Sequence, residues 1–258
     1  MPLIILTRRH CVSRVAEIYD LAGKITPITA SLKLDLHQLV ERGLGWDDQI
    51  PDNLRSTWIS NFQMMEDISK IKYKRAIIPE DAINLDITTI DMGDASKDIA
   101  CAAIYARFQR KCGKFSNQLV FSRSKLIPSG TTQPRAELIA ATLNTHTGEV
   151  VKRAFGDLHK SSTKLTDSQI VLFWINGNTK QMKPWVRNRV AEIQRFTNSD
   201  SWKYIKSSDM IADIGTRRGA TLDTVSQNSD WINGYRCVMQ RICFPVCLQK
   251  TSNSMLMM

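Results

Sequence analysis

Several things are missing from this sequence, and each absence removes a class of protein. No apolar run approaches the roughly 18–20 residues that a membrane-spanning helix needs. The apolar opening Leu3-Ile4-Ile5-Leu6 is cut short by Arg8, Arg9 and His10, too early for a secretory signal. The expectation is an intracellular chain, cytoplasmic or nuclear, with no membrane partner. The six cysteines (Cys11, Cys101, Cys112, Cys237, Cys243, Cys247) form no Cys-x-x-Cys pair, and no histidine stands beside the last three. Reduced, structural thiols are therefore expected ahead of a metal site built on Cys243 and Cys247. There is no G-x-x-x-x-G-K-[ST] loop to cradle a nucleoside triphosphate. A Tyr-x-Asp-Asp polymerase word is absent, and so are the paired His and Cys ligands of an integrase. An aspartic peptidase needs an Asp-Thr-Gly or Asp-Ser-Gly loop. The nearest words are Asp91-Met92-Gly93 and Asp213-Ile214-Gly215, which disfavours that reading.

What is present is a globular composition, 43% hydrophobic over 258 residues, with 35 Lys and Arg against 25 Asp and Glu. That length builds one substantial core or two modest ones. The formal charge of +10 favours a polyanionic partner such as nucleic acid, although charge alone identifies none.

Periodicity divides the chain. Apolar residues recur at helical spacing over 13–19 and 27–40, with Ile28, Leu32, Leu36 and Leu39 in the second run. Pro51 opens a third helix with Leu54, Trp58, Phe62 and Met65 on one face. The basic stretch 70–75 and then Pro79 mark a boundary, so residues 1–80 read as a helical segment. Beyond it, strand-like runs over 83–92, 99–108 and 118–122 predict an antiparallel three-strand meander. Pro134 opens a helix capped by Thr131 or Thr132 and running towards Phe155, with Gly148 a point where it bends or stops. A strand at 164–166, helices at 169–175 and from Pro184, a strand at 202–205 and a short helix at 209–216 complete a domain over 83–218. Residues 219–258 carry Trp231, Cys243 and Phe244 with weak periodicity and read as a tail, partly disordered or left as an uncovered interface. Trp46, Trp58 and Trp202 are assigned to cores.

Four carboxylates fall at suggestive places in that order: Asp94 at the end of the first strand, Glu137 in the domain's first helix, Asp167 after the fourth strand and Asp213 in the last helix. Each alone has an ordinary explanation, since an acid in a first helical turn suits the helix dipole and an Asp after a strand is commonly a cap. Their joint order is what points to chemistry. Acidic oxygen clusters suit Mg²⁺ or Mn²⁺, and two such ions about 3.5–4 Å apart activate water and stabilise the leaving oxygen in phosphodiester hydrolysis. Asp91 lies three residues before Asp94, on the opposite face of a strand with period two, so only one of them can face the ions. The turn that follows Asp94 selects it and leaves Asp91 at an edge or on the opposite face.

The words around these residues are Gly93-Asp94-Ala95-Ser96, Pro134-Arg135-Ala136-Glu137-Leu138, Thr166-Asp167-Ser168, Asn188-Arg189-Val190-Ala191-Glu192-Ile193-Gln194 and Ile211-Ala212-Asp213. Together they resemble the Bel/Pao family of LTR-retrotransposon polyproteins over roughly residues 8–218. Upstream, Val15-Ala16-Glu17-Ile18-Tyr19-Asp20 and Trp46-Asp47-Asp48 resemble the segment that ends that family's reverse transcriptase region. The resemblance implies an α/β fold with a ribonuclease H-like mixed sheet behind a small helical segment. It implies two-metal hydrolysis, by two Mg²⁺ or Mn²⁺ ions, of the RNA strand of RNA/DNA hybrids. Family roles make Asp94 and Asp167 the central ligands, with Glu137 on the leaving-group side and Asp213 on the nucleophile side. The implied partners are an RNA/DNA hybrid and the rest of a reverse transcriptase polyprotein. Family members read Asn-Pro-Ala-Asp where this chain has Met210-Ile211-Ala212-Asp213, so a looser turn around Asp213 is expected.

Lys180, Lys183, Arg187, Arg189 and Arg195, interleaved with Trp185, form a basic set suited to tracking the phosphates of a hybrid. A solvated helix face accounts for the same residues, since Arg is a good helix former. A catalytically inactive nucleic-acid-binding or assembly fragment of the polyprotein is the alternative function, separated from the nuclease by a test of hydrolysis.

Overall fold

The computed structural model describes residues 5–234. Leu3 and Ile4, together with Cys237, Cys243, Phe244 and Cys247 of the expected tail, lie outside them.

Five strands form one mixed sheet in the order β3-β2-β1-β4-β5, made of β1 (Ile87–Ala95), β2 (Ile99–Gln109), β3 (Phe115–Leu126), β4 (His159–Thr166) and β5 (Trp202–Tyr204). The first three are an antiparallel meander, while β4 lies parallel to β1 and β5 parallel to β4. This is the α/β mixed sheet that the sequence predicts. The central strand β1 is flanked on both sides, which is why Ile87, Ile90 and Met92 are buried together with polar Thr89 and Asp91. The fourth strand is longer than the expected 164–166. Its first half, His159-Lys160-Ser161-Ser162-Thr163, is polar and hides its strand character, and pairing with β1 rather than apolar content makes it a strand.

Period two sorts β1 and β2 onto two faces. One face receives α4 (Gln133–Phe155), whose Ala136, Ile139 and Ala140 pack with Ala95, Ala100 and Ile127. Alanines in β2 and Gly93 in β1 let this helix come close, since a Cβ on Gly93 would stand 3.0 Å from Ala140 O and from Asn144 Cβ. Thr132 occupies the N-cap position, Pro134 lies in the first turn, and the helix passes through Gly148 to end at Phe155.

The other face carries Ile90, Met92, Cys101, Ala103 and Tyr105, covered by Ile25, Ile28 and Leu32 and by Met210, Ile211, Val225, Trp231 and Ile232. The N-terminal helices α1 (Arg8–Ala16), α2 (Thr26–Glu41) and α3 (Asp52–Ile68) have a small core of their own around Leu39, Leu54 and Trp58. Through α2 they also share the sheet's main core. Residues up to 234 join that core too, although the sequence reads them as the start of a tail. The Trp231 side chain is fully buried, its indole nitrogen donates to Lys24 O at 2.9 Å, and its carbonyl accepts the Tyr105 hydroxyl at 2.8 Å. Weak periodicity hid this segment because it anchors through single large residues between short turns.

Beyond the sheet, α5 (Gln169–Asn176) and α6 (Pro184–Phe196) bury Val171, Ile175, Val190 and Ile193 against Leu138 and Trp202, and the short helix α7 (Asp230–Asn233) follows. One expectation needs correction. Trp46 is not a core residue: half of it is exposed, and the Arg8 guanidinium stacks 4.7 Å from its ring centroid. Asp91 takes the second of the two places expected for it, the face opposite Asp94: β1 is the middle strand, and Asp91 is completely buried beneath α4.

Candidate active site

Asp94 and Asp167 stand at the ends of neighbouring parallel strands. Asp94 shares a face of β1 with Ile90 and Met92, and Asp167 shares a face of β4 with Leu165; both lie on the side away from α4. Asp213 reaches that side from a 3-10 turn, Ile211–Gly215. The turn is closed by backbone hydrogen bonds that Asp213 N donates to Met210 O and Thr216 N donates to Asp213 O, and it is anchored by buried Met210, Ile211 and Ala212. Met210 and Ile211, the positions at which the sequence predicts a looser turn, are both sunk in the core. Gly215 brings the turn onto β2, where an added Cβ would stand 3.2 Å from Cys101 Cβ and closer still to its sulfur.

Burial pushes the Asp94 carboxyl up to about 6, and the charges of Asp167 and Asp213 push it the same way, opposed by a hydrogen bond from Thr216. Burial dominates this shift, and the smaller contributions of Asp167 and Asp213 show that their charges reach Asp94. Glu137 approaches from α4. Gln133 Nε2 donates both to Ala95 O at 3.0 Å and to Glu137 Oε1 at 3.2 Å, which ties the helix start to the end of β1 beside Asp94.

Each acid is turned to a donor of its own. Thr216 Oγ1 donates to Asp94 Oδ2 at 2.6 Å, Ser207 Oγ donates to Asp167 Oδ2 at 2.7 Å, and Arg217 Nε pairs with Asp213 Oδ2 at 2.6 Å. Among the described residues, no three His, Cys, Asp or Glu side chains draw together as a ready-made metal cage. Hydroxyl and guanidinium donors take up one oxygen of each of these carboxylates.

The predicted basic set divides. Trp185, at the start of α6, lies between Arg189, 3.6 Å from its ring centroid, and Arg135, 5.1 Å away in the first turn of α4. Arg135 stands two residues before Glu137 in the same helix. Lys180, Lys183 and Arg187 are exposed nearby in sequence. Arg195 lies about 15 Å further along the helix, stacked on Phe196 at 5.5 Å. Sequence reasoning missed Arg135, Gln133, Ser207, Thr216 and Arg217. Arg135 lay inside a word already singled out, and Thr216 and Arg217 follow Asp213 at the three- and four-residue spacings of one helical face.

Known proteins place the chain as follows. A sequence model described as the Pao retrotransposon-like RNaseH-like domain matches residues 7–168. The match takes in Asp94, Glu137 and Asp167 and stops before Asp213. No curated protein matches. Among solved structures, the N-terminal RNase H domain of a Mycobacterium tuberculosis protein, fused to maltose binding protein, shares 12% identity at a TM-score of 0.33, covering 61% of this chain and all of that one. RNase H1 from Halobacterium salinarum shares 15% at 0.32, covering 49% of this chain and 90% of that one. LC11-RNase H1, solved in complex with an RNA/DNA hybrid, shares 19% at 0.33, covering 50% and 91%. With well over half of its length inside the family match, the chain belongs to the Pao retrotransposon-like RNaseH-like domain family.

Proposed function

We propose that this RNase H-like domain is a divalent-metal-dependent ribonuclease that hydrolyses the RNA strand of RNA/DNA hybrids. The observation that carries the reading is the approach of Asp94, Asp167 and Asp213 from three separate elements: burial is the main cause that lifts Asp94 to about 6, and the charges of Asp167 and Asp213 reach it and add to the shift. The donor set is all carboxylate oxygen, which fits Mg²⁺ or Mn²⁺. Asp94 and Asp167 would hold both ions, with Glu137 on the leaving-group side and Asp213 on the nucleophile side. Bound there, the ions supply an activated water and charge stabilisation at the leaving oxygen.

The chain's own residues do the rest. The ends of β1 and β4 hold Asp94 and Asp167 on rigid neighbouring strands. Thr216 favours the ionised form of Asp94, the form that binds a cation. Arg217 pairs with Asp213 and would have to release it for that carboxylate to hold an ion. Lys180, Lys183, Arg187 and Arg189 offer phosphate contacts, with Trp185 as a stacking surface between Arg135 and Arg189.

A second reading, a nucleic-acid-binding or assembly fragment without catalysis, is favoured by one observation: every carboxylate already has its own donor. Incubation with a hybrid labelled on its RNA strand, beside single-stranded RNA and duplex DNA, separates the two. The nuclease reading expects Mg²⁺- or Mn²⁺-dependent loss of the RNA strand of the hybrid alone. Binding without cleavage supports the second reading.

A further inference from the structure

On the face of the sheet opposite the carboxylates lies a buried ion pair. Lys164 Nζ stands 2.6 Å from Asp91 Oδ2, and the two side chains are 6% and 0% exposed. Ser162 Oγ donates to the same oxygen at 2.7 Å. Asp91 and Lys164 are register partners across the parallel β1–β4 pair. Asp94 lies three residues after one of them and Asp167 three residues after the other. The ion pair is thus one step of the β1–β4 ladder, which runs on to Met92 and Leu165, two residues short of Asp94 and Asp167.

The helix above is shaped around this pair. A Cβ on Gly148 would overlap Asp91 Oδ2 and stand 2.7 Å from Lys164 Nζ, so α4 crosses with glycine at that point. Asn144, one turn earlier, donates to Asp91 O at 3.1 Å. The arrangement is held at a cost, since Asp91 Oδ1 and Asn144 Oδ1 are buried with no hydrogen-bond partner. β1 carries Asp94, β4 leads into Asp167 and α4 carries Glu137, so three of the four candidate ligands sit on elements that meet at this pair.

We infer that the Asp91–Lys164 ion pair is a positioning device that fixes the register of β4 against β1, and with it the alignment of Asp94 and Asp167. A one-residue slip of a strand turns every side chain to the other face. Here a slip would move Lys164 off Asp91 and leave two buried charges unpaired, the arrangement a folded interior tolerates least. Polar residues such as Ser161, Ser162 and Thr163 specify that register only weakly, so the specific contact supplies it. The catalytic readout of this inference rests on the nuclease reading; its structural readout does not.

The test is the double variant Asp91→Leu with Lys164→Met, because replacing a buried ion pair by apolar residues of similar volume commonly leaves stability unchanged or improved. Backbone contacts between β1 and β4 are mapped by nuclear Overhauser effects in the wild type and the variant. The wild type is expected to give one set of contacts, including Ile90 with Thr163 and Met92 with Leu165. The variant is expected to fold and melt cooperatively while showing a second set displaced along the strand. Its kcat on the hybrid should fall by about tenfold or more with KM unchanged. The charge-reversed double variant, Asp91→Lys with Lys164→Asp, should restore the single register. A single native register in the apolar variant, or kcat within about twofold of wild type, overturns the inference. If the wild type does not cleave the hybrid at all, the nuclease reading fails, and the mapped register still decides the role of the pair.

Discussion

The Thr216 hydroxyl donates to Asp94 Oδ2 at 2.6 Å, while the Thr216 amide and hydroxyl both reach Asp213 O, at 3.1 and 3.0 Å. One residue thus fastens the turn that aims Asp213 to the strand end that presents Asp94. Thr216→Val keeps the shape and removes the hydroxyl. A hydrogen bond to an ionised carboxylate contributes roughly 1.5–3 kcal/mol, so the variant should lose stability in that range at pH 7.5. At pH 4.5, where Asp94 is mainly protonated, the loss should be smaller. Urea unfolding at the two pH values measures the difference, and equal losses would mean that Thr216 acts only through the turn.

The raised Asp94 titration makes stability depend on pH. An unfolded aspartate titrates near 3.9, whereas folded Asp94 does so at about 6. The folded state therefore holds that proton more tightly, so its contribution is full below about pH 4 and is lost as pH rises through about 6. Two pKa units correspond to roughly 2–3 kcal/mol. Thermal melts should show the midpoint falling over this window in the wild type and much less in Asp94→Asn. Millimolar Mg²⁺ at pH 7.5 should raise the midpoint of the wild type and leave that of Asp94→Asn nearly unmoved.

Gly148→Ala opposes two effects. Alanine improves helix propensity by about 1 kcal/mol, but its Cβ would press on the buried Asp91–Lys164 pair. Overpacking of this kind costs typically 1–3 kcal/mol. The net expectation is destabilisation by about 1 kcal/mol or slightly more, read from chemical denaturation. A stabilised variant would show that the pair yields easily.

The basic helix has its own test. Hybrid binding should weaken steeply with salt, and Arg187→Ala combined with Arg189→Ala should reduce the slope of log affinity against log salt by roughly 1–2 units. Trp185→Ala removes the ring that carries Arg135 and Arg189, so it should weaken binding without a comparable change in slope. An unchanged slope in the double arginine variant would return α6 to a plain solvated face.

Much of this molecule was legible from its residues, and what was hidden follows a pattern. The meander over β1–β3 shows as apolar strand-like runs, α4 and α6 announce themselves with prolines at their starts, and the order of Asp94, Glu137, Asp167 and Asp213 points to the site proposed above. Signals that depend on partners across the fold were silent. The first half of β4 is polar because its side chains meet the β1 network and solvent. Asp91 appears dispensable until Lys164, distant in sequence, is seen to pair with it. Trp231 lies in a segment without periodicity and is fixed by Tyr105 and Lys24. Trp46 misled in the opposite sense, since an aromatic in a loop was assigned to a core when two arginines hold it at the surface.

The central claim is that Asp94 and Asp167 work as a metal-binding pair in hybrid cleavage. Its most direct test measures release of labelled RNA from an RNA/DNA hybrid in Mg²⁺ by wild type, Asp94→Asn and Asp167→Asn, with circular dichroism confirming that all three are folded. Losing a ligand shared by two ions removes several kcal/mol of transition-state stabilisation, so each variant should be slower by about 10³-fold or more. Wild-type cleavage that persists in excess chelator, or an Asp94→Asn protein that cleaves as fast as wild type, would contradict the account.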